Sequence, residues 1–323
     1  MVDHRILIVG GGSAGQRHLK FARKFFPDSS IAVLSFFSDK IQSQTYFSNF
    51  EDAIAFHPNL VIIANPSTRH LDTFSVLSGL HADFVVEKPL CSTLFEANQL
   101  VEIAETQNKR VMVAYQLRFS QGLSLVRKLL DINKLGELYF ADFQIGQSID
   151  QWRPDTHFSF GVSARRDLGG GVLNELSHEI DLLTWLFPSA ILNFATIATL
   201  GDFDIDVENF AELCFKVKSG VNKSSFARIR MDMLRQDFTR TLEIVGELGT
   251  LRWNGDSGQV QIFLKSQPEW VTLYKEGEAF HDSLWKGIYD FHANKRNTTS
   301  TLRQSLLTLK IIEDARITAA NFK

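Results

Sequence analysis

The chain has 323 residues, 44% of them hydrophobic, enough to bury two cores at about 150 residues per domain and too apolar for a disordered segment. Lysine and arginine number 34 against 37 aspartates and glutamates, a net charge of −3 with no block of one sign, which argues against nucleic acid as a partner. The two cysteines, Cys91 and Cys214, fit no C-x-x-C spacing, so neither a disulfide framework nor a zinc site is indicated, and a reducing cytoplasm is the expected compartment.

Along the chain, Met1 to Arg5 lead straight into Ile6–Val9, too short for the apolar core of a signal peptide. No apolar run approaches the ~18 residues that span a bilayer, so no membrane association is expected. Short runs rich in Val and Ile then alternate with helix-length amphipathic stretches: Ile6–Val9, Ile31–Leu34, Leu60–Ala64, Phe84–Val86 and Val111–Ala114. That rhythm predicts βαβ units and a doubly wound parallel sheet, the continuous runs being what strands buried on both faces require. After Phe119 a helix is predicted over Leu123–Ile132. Period-two alternation then marks strands at Leu138–Ile145, Phe210–Val217, Lys223–Met231, Thr241–Val245, Leu248–Trp253 and Gln259–Leu264, with Ser219-Gly220, Gly246 and Gly255 to Gly258 as turns. These predict a mainly antiparallel sheet, with one face solvated or covered by a partner. Asn294 to Ser300 reads as a loop and Leu302–Ala319 as a helix. The 27 phenylalanines, against 5 tyrosines and 5 tryptophans, read as core packing and subunit contact. The change of rhythm after Phe119 predicts a division into residues 1–119 and 120–323.

Gly10-Gly11-Gly12-Ser13-Ala14-Gly15 follows the first strand and opens a helix, the context that the G-x-G-x-x-G fingerprint needs. Gly10 permits the tight turn, Gly12 the close approach of backbone to a pyrophosphate, and Gly15 the packing of helix on strand. The alternative is a glycine turn with no ligand. Where the second strand ends, an Asp or Glu would grip a ribose 2′-hydroxyl, but this chain has Ser35. A neutral side chain does not repel a 2′-phosphate and Lys40 can reach one, which leans toward NADP over NAD; Lys40 reads equally well as a surface charge. The loop Asn65-Pro66…His70 follows the third predicted strand, and Glu87-Lys88-Pro89 follows the fourth, at the sheet edge where ligands of such folds bind. Lys88 can stabilise charge on a substrate oxygen, while a strand-end ion pair of Glu87 is the plainer reading.

Arg165 to Leu183 is the richest stretch. A helix from Val172 would align Asn174, His178 and Asp181 along one polar stripe at i, i+4 and i+7. His178 has the pKa range of a general base, although a helical histidine is commonly structural. Glu175 and Glu179 need not share its face, which disfavours a metal. Trp152 can stack on a sugar ring, and Arg153, Arg165 or Arg166 can hold a phosphate or carboxylate, or else tie the loop to nearby acids.

Together, Gly10 to Gly15 followed by His18, Asn65-Pro66…His70, Glu87-Lys88-Pro89 and the Gly169–Asp181 segment resemble the glucose-fructose oxidoreductase, inositol dehydrogenase and MocA family over the whole chain. The resemblance implies a Rossmann domain, a second α/β domain with a large open sheet, and a homo-oligomer, dimer or tetramer, formed through that sheet. It further implies hydride transfer between a nicotinamide and a sugar, cyclic polyol or nucleotide sugar. Lys88 and His178 match the family's catalytic lysine and histidine. Asn174 stands where the pattern has aspartate, and an amide cannot take a proton; it is expected to orient substrate. The cofactor set is Gly10, Gly12, Ser13, Ala14, Gly15, Ser35, Asn65, Pro66, His70, Glu87 and Lys88, and the substrate set Lys88, Trp152, Arg153, Arg165, Asn174 and His178. Gln151 to Pro154, with the Ser163 to Gly171 and Leu176 to Asp181 stretches, is similar to members tied to bacterial surface-sugar biosynthesis. The other readings on this fold are a non-catalytic dinucleotide-binding regulator and a nicotinamide-dependent glycoside hydrolase.

Overall fold

The computed structural model describes residues 4–36, 45–152, 157–218, 224–275, 277 and 280–320. It divides into two compact units, residues 1–116 with 280–309, and residues 117–279 with 310–323.

The first unit opens with β1 (Arg5–Val9), α1 (Ser13–Phe25), β2 (Ser30–Leu34), β3 (Thr45–Phe47), α2 (Phe50–Ala55), β4 (Leu60–Ile63), α3 (His70–Leu77), β5 (Asp83–Val86), α4 (Leu94–Thr106) and β6 (Val111–Val113). The strands form one parallel sheet in the order β3-β2-β1-β4-β5-β6. Every residue of β4 and β5 is buried, as unbroken apolar runs demand of strands covered on both faces. Strand order runs outward in opposite directions from β1 and β4, so the loops after these two strands flank the switch point where doubly wound sheets bind ligands. β3 was not expected. Three half-buried residues after a polar stretch carry no periodic signal, yet Thr45 to Phe47 add to the outer side of β2. α4 starts with a reciprocal cap, Glu96 N–H on Thr93 Oγ1 and Thr93 N–H on the Glu96 carboxylate.

The second unit contains α5 (Gln121–Asp131), β7 (Leu138–Gly146), α6 (Val172–Glu175), α7 (Ser177–Leu186), β8 (Ile191–Ala198), β9 (Phe210–Lys218), β10 (Ser224–Asp232), β11 (Thr239–Gly246), β12 (Gly249–Asn254), β13 (Gln259–Leu264) and β14 (Gln267–Lys275). Its eight strands run β14-β13-β12-β11-β7-β10-β9-β8, antiparallel except for β7 beside β10. Alternation is visible in burial: Phe143, Ile145, Ile229, Met231, Leu242 and Ile244 are buried, and α5, α6 and α7 pack on the sheet. Phe140 and its neighbour in register Phe226 are exposed, beside a bidentate pair between Arg228 and Asp142. The edge strands β8 and β14 escaped the sequence reading because few of their residues are buried, so no period of two is imposed on them. Ser219, Gly220 and Lys223 lie outside the described residues.

Two helices follow, α8 (Phe280–His292) and α9 (Leu302–Ala320). The expected division placed everything after residue 119 in the second domain. In the structure Phe280–Leu309 joins the first unit instead. The reason is α8, unforeseen in the sequence: its Trp285, Ile288 and Phe291 are buried, Trp285 stacks on Phe25 of α1, and Asp282 pairs with Lys24. Asp83 at the start of β5 completes the tie, accepting from Arg110 (3.0 Å), His292 (2.7 Å) and Lys295 (2.6 Å).

Candidate cofactor turn and glycine-loop site

In the first unit, Gly10 N–H donates to Leu34 O at 2.8 Å, which ties the turn after β1 to the end of β2. Gly10 has φ +116°, and a Cβ there would lie 2.6 Å from Ala64 O. A Cβ on Gly15 would lie 1.8 Å from Gly10 O, so α1 can approach the turn only as glycine allows. At Gly12 a Cβ would meet nothing within 4 Å. Gly12 provides no capping side chain for α1, and the first turn, including exposed Ser13 and half-buried Ala14, has no acidic residue. The amide N–H groups and positive end of the helix dipole are therefore offered to an anion approaching over Gly12. A pyrophosphate fits that cradle.

Ser35 is buried at the end of β2, its N–H bonded to Phe47 O and its carbonyl accepting the Tyr46 hydroxyl. Neither it nor Phe36 is acidic, and Lys40 lies outside the described residues. Asn65 donates to Thr73 Oγ1 at 2.8 Å, while its Oδ1 is buried without a hydrogen-bond partner among the described residues. Pro66, half-buried, precedes a short turn whose Arg69 N–H bonds back to Pro66 O. His70 was expected to line the cofactor. It is instead 1% exposed, with Nε2 2.9 Å from Asn65 O and Nδ1 3.1 Å from Leu90 O. Burial lowers its pKa, and the neutral ring donates to one carbonyl at a time, so His70 staples the loops after β4 and β5.

Glu87 and Lys88 follow β5, and the Lys88–Pro89 peptide is cis. Glu87 Oε1 accepts from His18 Nε2 at 2.8 Å, and Oε2 accepts the Lys88 N–H at 3.0 Å. Burial alone would raise the pKa of this carboxyl. The His18 hydrogen bond and the positive charges of Arg17 and Lys88 outweigh it and hold Glu87 well below the usual carboxylate range.

In the second unit, the glycine run Gly169 to Gly171 leads into α6. Gly169 and Gly171 take positive φ, and a Cβ on Gly170 would strike Val162 O at 2.3 Å. The single helix expected from Val172 is broken at Leu176, whose ψ is +21°. The stripe of Asn174, His178 and Asp181 is broken with it. Asn174, 3% exposed, donates Nδ2 to Gly169 O (3.0 Å) and Gly170 O (3.4 Å), and its Oδ1 accepts from Arg316 (3.4 Å). Its amide nitrogen holds the loop, and its oxygen faces the Arg316 guanidinium. Arg316 also pairs with Glu208 at 3.3 Å, the carboxylate that a Cβ on Gly171 would strike. Asp181 is a buried bidentate partner of Arg118, at 2.8 Å through both contacts. His178, half-buried, stands in the first turn of α7 beside buried Glu179, whose Oε1 accepts from Arg240 at 2.6 Å.

The expected substrate arginines separate. Arg165 pairs with Asp167 at 3.1 Å, both exposed, and Arg166 binds Asp206 through backbone and guanidinium. They tie the loop to nearby acids. Trp152 donates Nε1 to Gln147 O at 3.1 Å, and Arg153 lies outside the described residues. Arg118, Glu208 and Arg316 had no local signal in the sequence, because their partners lie far along the chain. Among the described residues, no group of three or more His, Cys, Asp or Glu could hold a metal.

The parallel sheet and the glycine turn at its switch point define a dinucleotide-binding unit of Rossmann type. Residues 4–115 match the family model described as "Oxidoreductase family, NAD-binding Rossmann fold", and residues 123–252 match the "GFO/IDH/MocA C-terminal domain". The chain belongs to the glucose-fructose oxidoreductase, inositol dehydrogenase and MocA family of oxidoreductases. Among curated relatives, the rhizopine catabolism protein MocA of Rhizobium meliloti is 28% identical over 206 residues, 60% of each chain, so the match spans less than two thirds of that protein. A levoglucosan dehydrogenase in complex with NADH superposes with a TM-score of 0.84 at 17% identity, covering 99% of this chain and 98% of the other. The WlbA dehydrogenase of Bordetella pertussis, in complex with NADH and UDP-GlcNAcA, gives 0.81 at 18%, covering 100% and 98%. At those identities the superpositions speak to the fold. No helix among the described residues is long and apolar enough to cross a membrane.

Proposed function

We propose that this protein is an NAD(P)-dependent dehydrogenase or reductase acting on a hydroxyl-bearing or keto carbon of a sugar, cyclic polyol or nucleotide sugar. One observation carries the reading: the turn at the β1/β4 switch point leaves open space over Gly12 and an uncapped, acid-free helix N-terminus, the cradle a pyrophosphate needs. A bound nicotinamide would supply the hydride acceptor or donor. Gly12, Ser13 and Ala14 would hold its pyrophosphate. Lys88 donates a hydrogen bond to the reacting substrate oxygen and stabilises charge there. His178 serves as the acid–base group, because Asn174 cannot take a proton and its amide nitrogen is bonded to the glycine loop. The absence of an acidic residue at Ser35 and Phe36 leaves room for a 2′-phosphate and supports NADP. The named relatives, a levoglucosan dehydrogenase and a dehydrogenase bound to UDP-GlcNAcA, support a sugar-like substrate. The exposed Phe140 and Phe226 on the outer sheet face support a homo-oligomer, dimer or tetramer, formed through that sheet.

A second reading, a non-catalytic dinucleotide-binding regulator, draws on the same commitment of Asn174 to structure. The two separate by turnover. Sugars, polyols and nucleotide sugars are screened for absorbance change at 340 nm, and the active pair is repeated with Lys88→Ala and His178→Ala. Each variant is expected to lose at least about 100-fold in kcat while still binding cofactor. Undiminished turnover in both removes the assignment, and no turnover with any substrate favours the regulator.

A further inference from the structure

The carboxylate of Glu87 joins two parts of the first unit that are far apart in sequence. One oxygen accepts from His18, midway along α1, and the other accepts the backbone N–H of Lys88. The same helix presents its N-terminus at the glycine turn. From this juxtaposition we infer that His18 is a positioning residue: through Glu87 it fixes the backbone of Lys88 relative to the helix that the glycine turn opens. The inference rests on the role proposed for Lys88 and adds a residue that sets its place.

The His18 imidazole is 2% exposed and lies tilted against Trp285, with ring centroids 5.6 Å apart. Its Nδ1 is buried and makes no hydrogen bond among the described residues, so Nε2 toward Glu87 is the ring's one polar tie. Glu87 is faced by Arg17 and His18 from α1, by His70 from α3, by Lys88 from its own turn and by His281 from α8. Of these, His18 alone donates a side-chain hydrogen bond to it among the described residues; Arg17 stands at 3.8 Å. Burial pushes His281 down to about 4, so near neutral pH it adds no positive charge. Without His18, Glu87 loses its side-chain donor and only the charges of Arg17 and Lys88 still oppose burial, so the pKa of its carboxyl rises. A protonated carboxyl is a weaker acceptor for the Lys88 N–H, and the turn loosens where the lysine must be held.

The test compares wild type, His18→Leu and His18→Gln; the glutamine amide can still donate to Glu87, whereas leucine fills the space without a donor. The protein is labelled with 15N-lysine, free of cofactor, and the Lys88 amide cross-peak is identified by its loss in Lys88→Arg. Wild type and His18→Gln are expected to keep this peak at a downfield position from pH 8 to pH 5. His18→Leu is expected to move upfield as pH falls, with circular dichroism unchanged. Where turnover is found, His18→Leu loses about 10-fold or more in kcat at pH 6, with KM for the nicotinamide dinucleotide altered less than about threefold, and His18→Gln restores it. A Lys88 peak in His18→Leu that tracks wild type at every pH overturns the inference. Because the peak is read without cofactor or substrate, it decides the positioning whether or not nicotinamide turnover exists.

Discussion

Substituting Gly12 and Gly15 separately by alanine distinguishes a cofactor turn from a purely structural one. At Gly15 the new methyl would sit 1.8 Å from Gly10 O, so α1 must retreat from β1, at a cost of about 1–3 kcal/mol or more. At Gly12 the backbone is extended, with φ −73°, and the methyl meets nothing within 4 Å; the loss of glycine at the helix cap costs no more than about 1 kcal/mol. That methyl stands where a pyrophosphate would approach the backbone. Gly12→Ala is therefore expected to melt within a few degrees of wild type and to bind NADH or NADPH at least about tenfold more weakly, a loss of about 1.4 kcal/mol. Gly15→Ala is expected to lose stability first. Tryptophan-to-nicotinamide energy transfer measures the binding, and differential scanning calorimetry the stability. Wild-type affinity in Gly12→Ala would refute the reasoning, since the space over Gly12 would then not be the ligand's.

The buried Arg118–Asp181 pair, with each side chain about 1% exposed, supports stability rather than chemistry. Asp181→Asn removes the carboxylate that faces the buried guanidinium and should cost about 3–5 kcal/mol, a fall of roughly 6–20 °C in Tm, while Arg118→Met with Asp181→Leu should recover much of it. Asp83 carries a different signature: burial would raise its pKa, but hydrogen bonds from His292 and Lys295 and the charges of Arg110 and Lys295 hold it below the ordinary value. A depressed carboxylate contributes stability above its unfolded pKa and loses it as pH falls through the folded one. Asp83→Asn should thus be less stable than wild type at pH 7, with the gap closing below about pH 4 in urea titrations. Phe226→Asp on the outer sheet face should lower the mass found by light scattering without unfolding the chain, and an unchanged mass would exclude that face as the subunit contact.

What sequence could show divides by the range of the interaction. The parallel strands β1, β2, β4, β5 and β6 were legible because full burial writes unbroken apolar runs, and β9 to β13 because one-sided burial writes alternation. β8 and β14 carry neither signature, for sheet edges bury too little. Gly10, Gly12 and Gly15 were legible as a motif, and their separate roles follow from what each Cβ would meet. Other contacts stayed hidden where long-range partners decide. Nothing near Asn174 in sequence announces Arg316, nothing near Asp181 announces Arg118, and a local helical period could not show the break at Leu176. His70 illustrates the same limit from inside a motif, since its residues lie in the right loop while its ring faces two carbonyls.

The central claim is that the turn from Gly10 to Gly15 holds a nicotinamide dinucleotide. Titrating the purified protein separately with NADH and NADPH, while following energy transfer from tryptophan to the reduced nicotinamide, tests it most directly. Saturable transfer is expected, tighter for NADPH as the neutral Ser35 position favours. Saturation by neither dinucleotide, in protein whose denatured supernatant contains no cofactor, would contradict the account and leave the glycine turn a structural one.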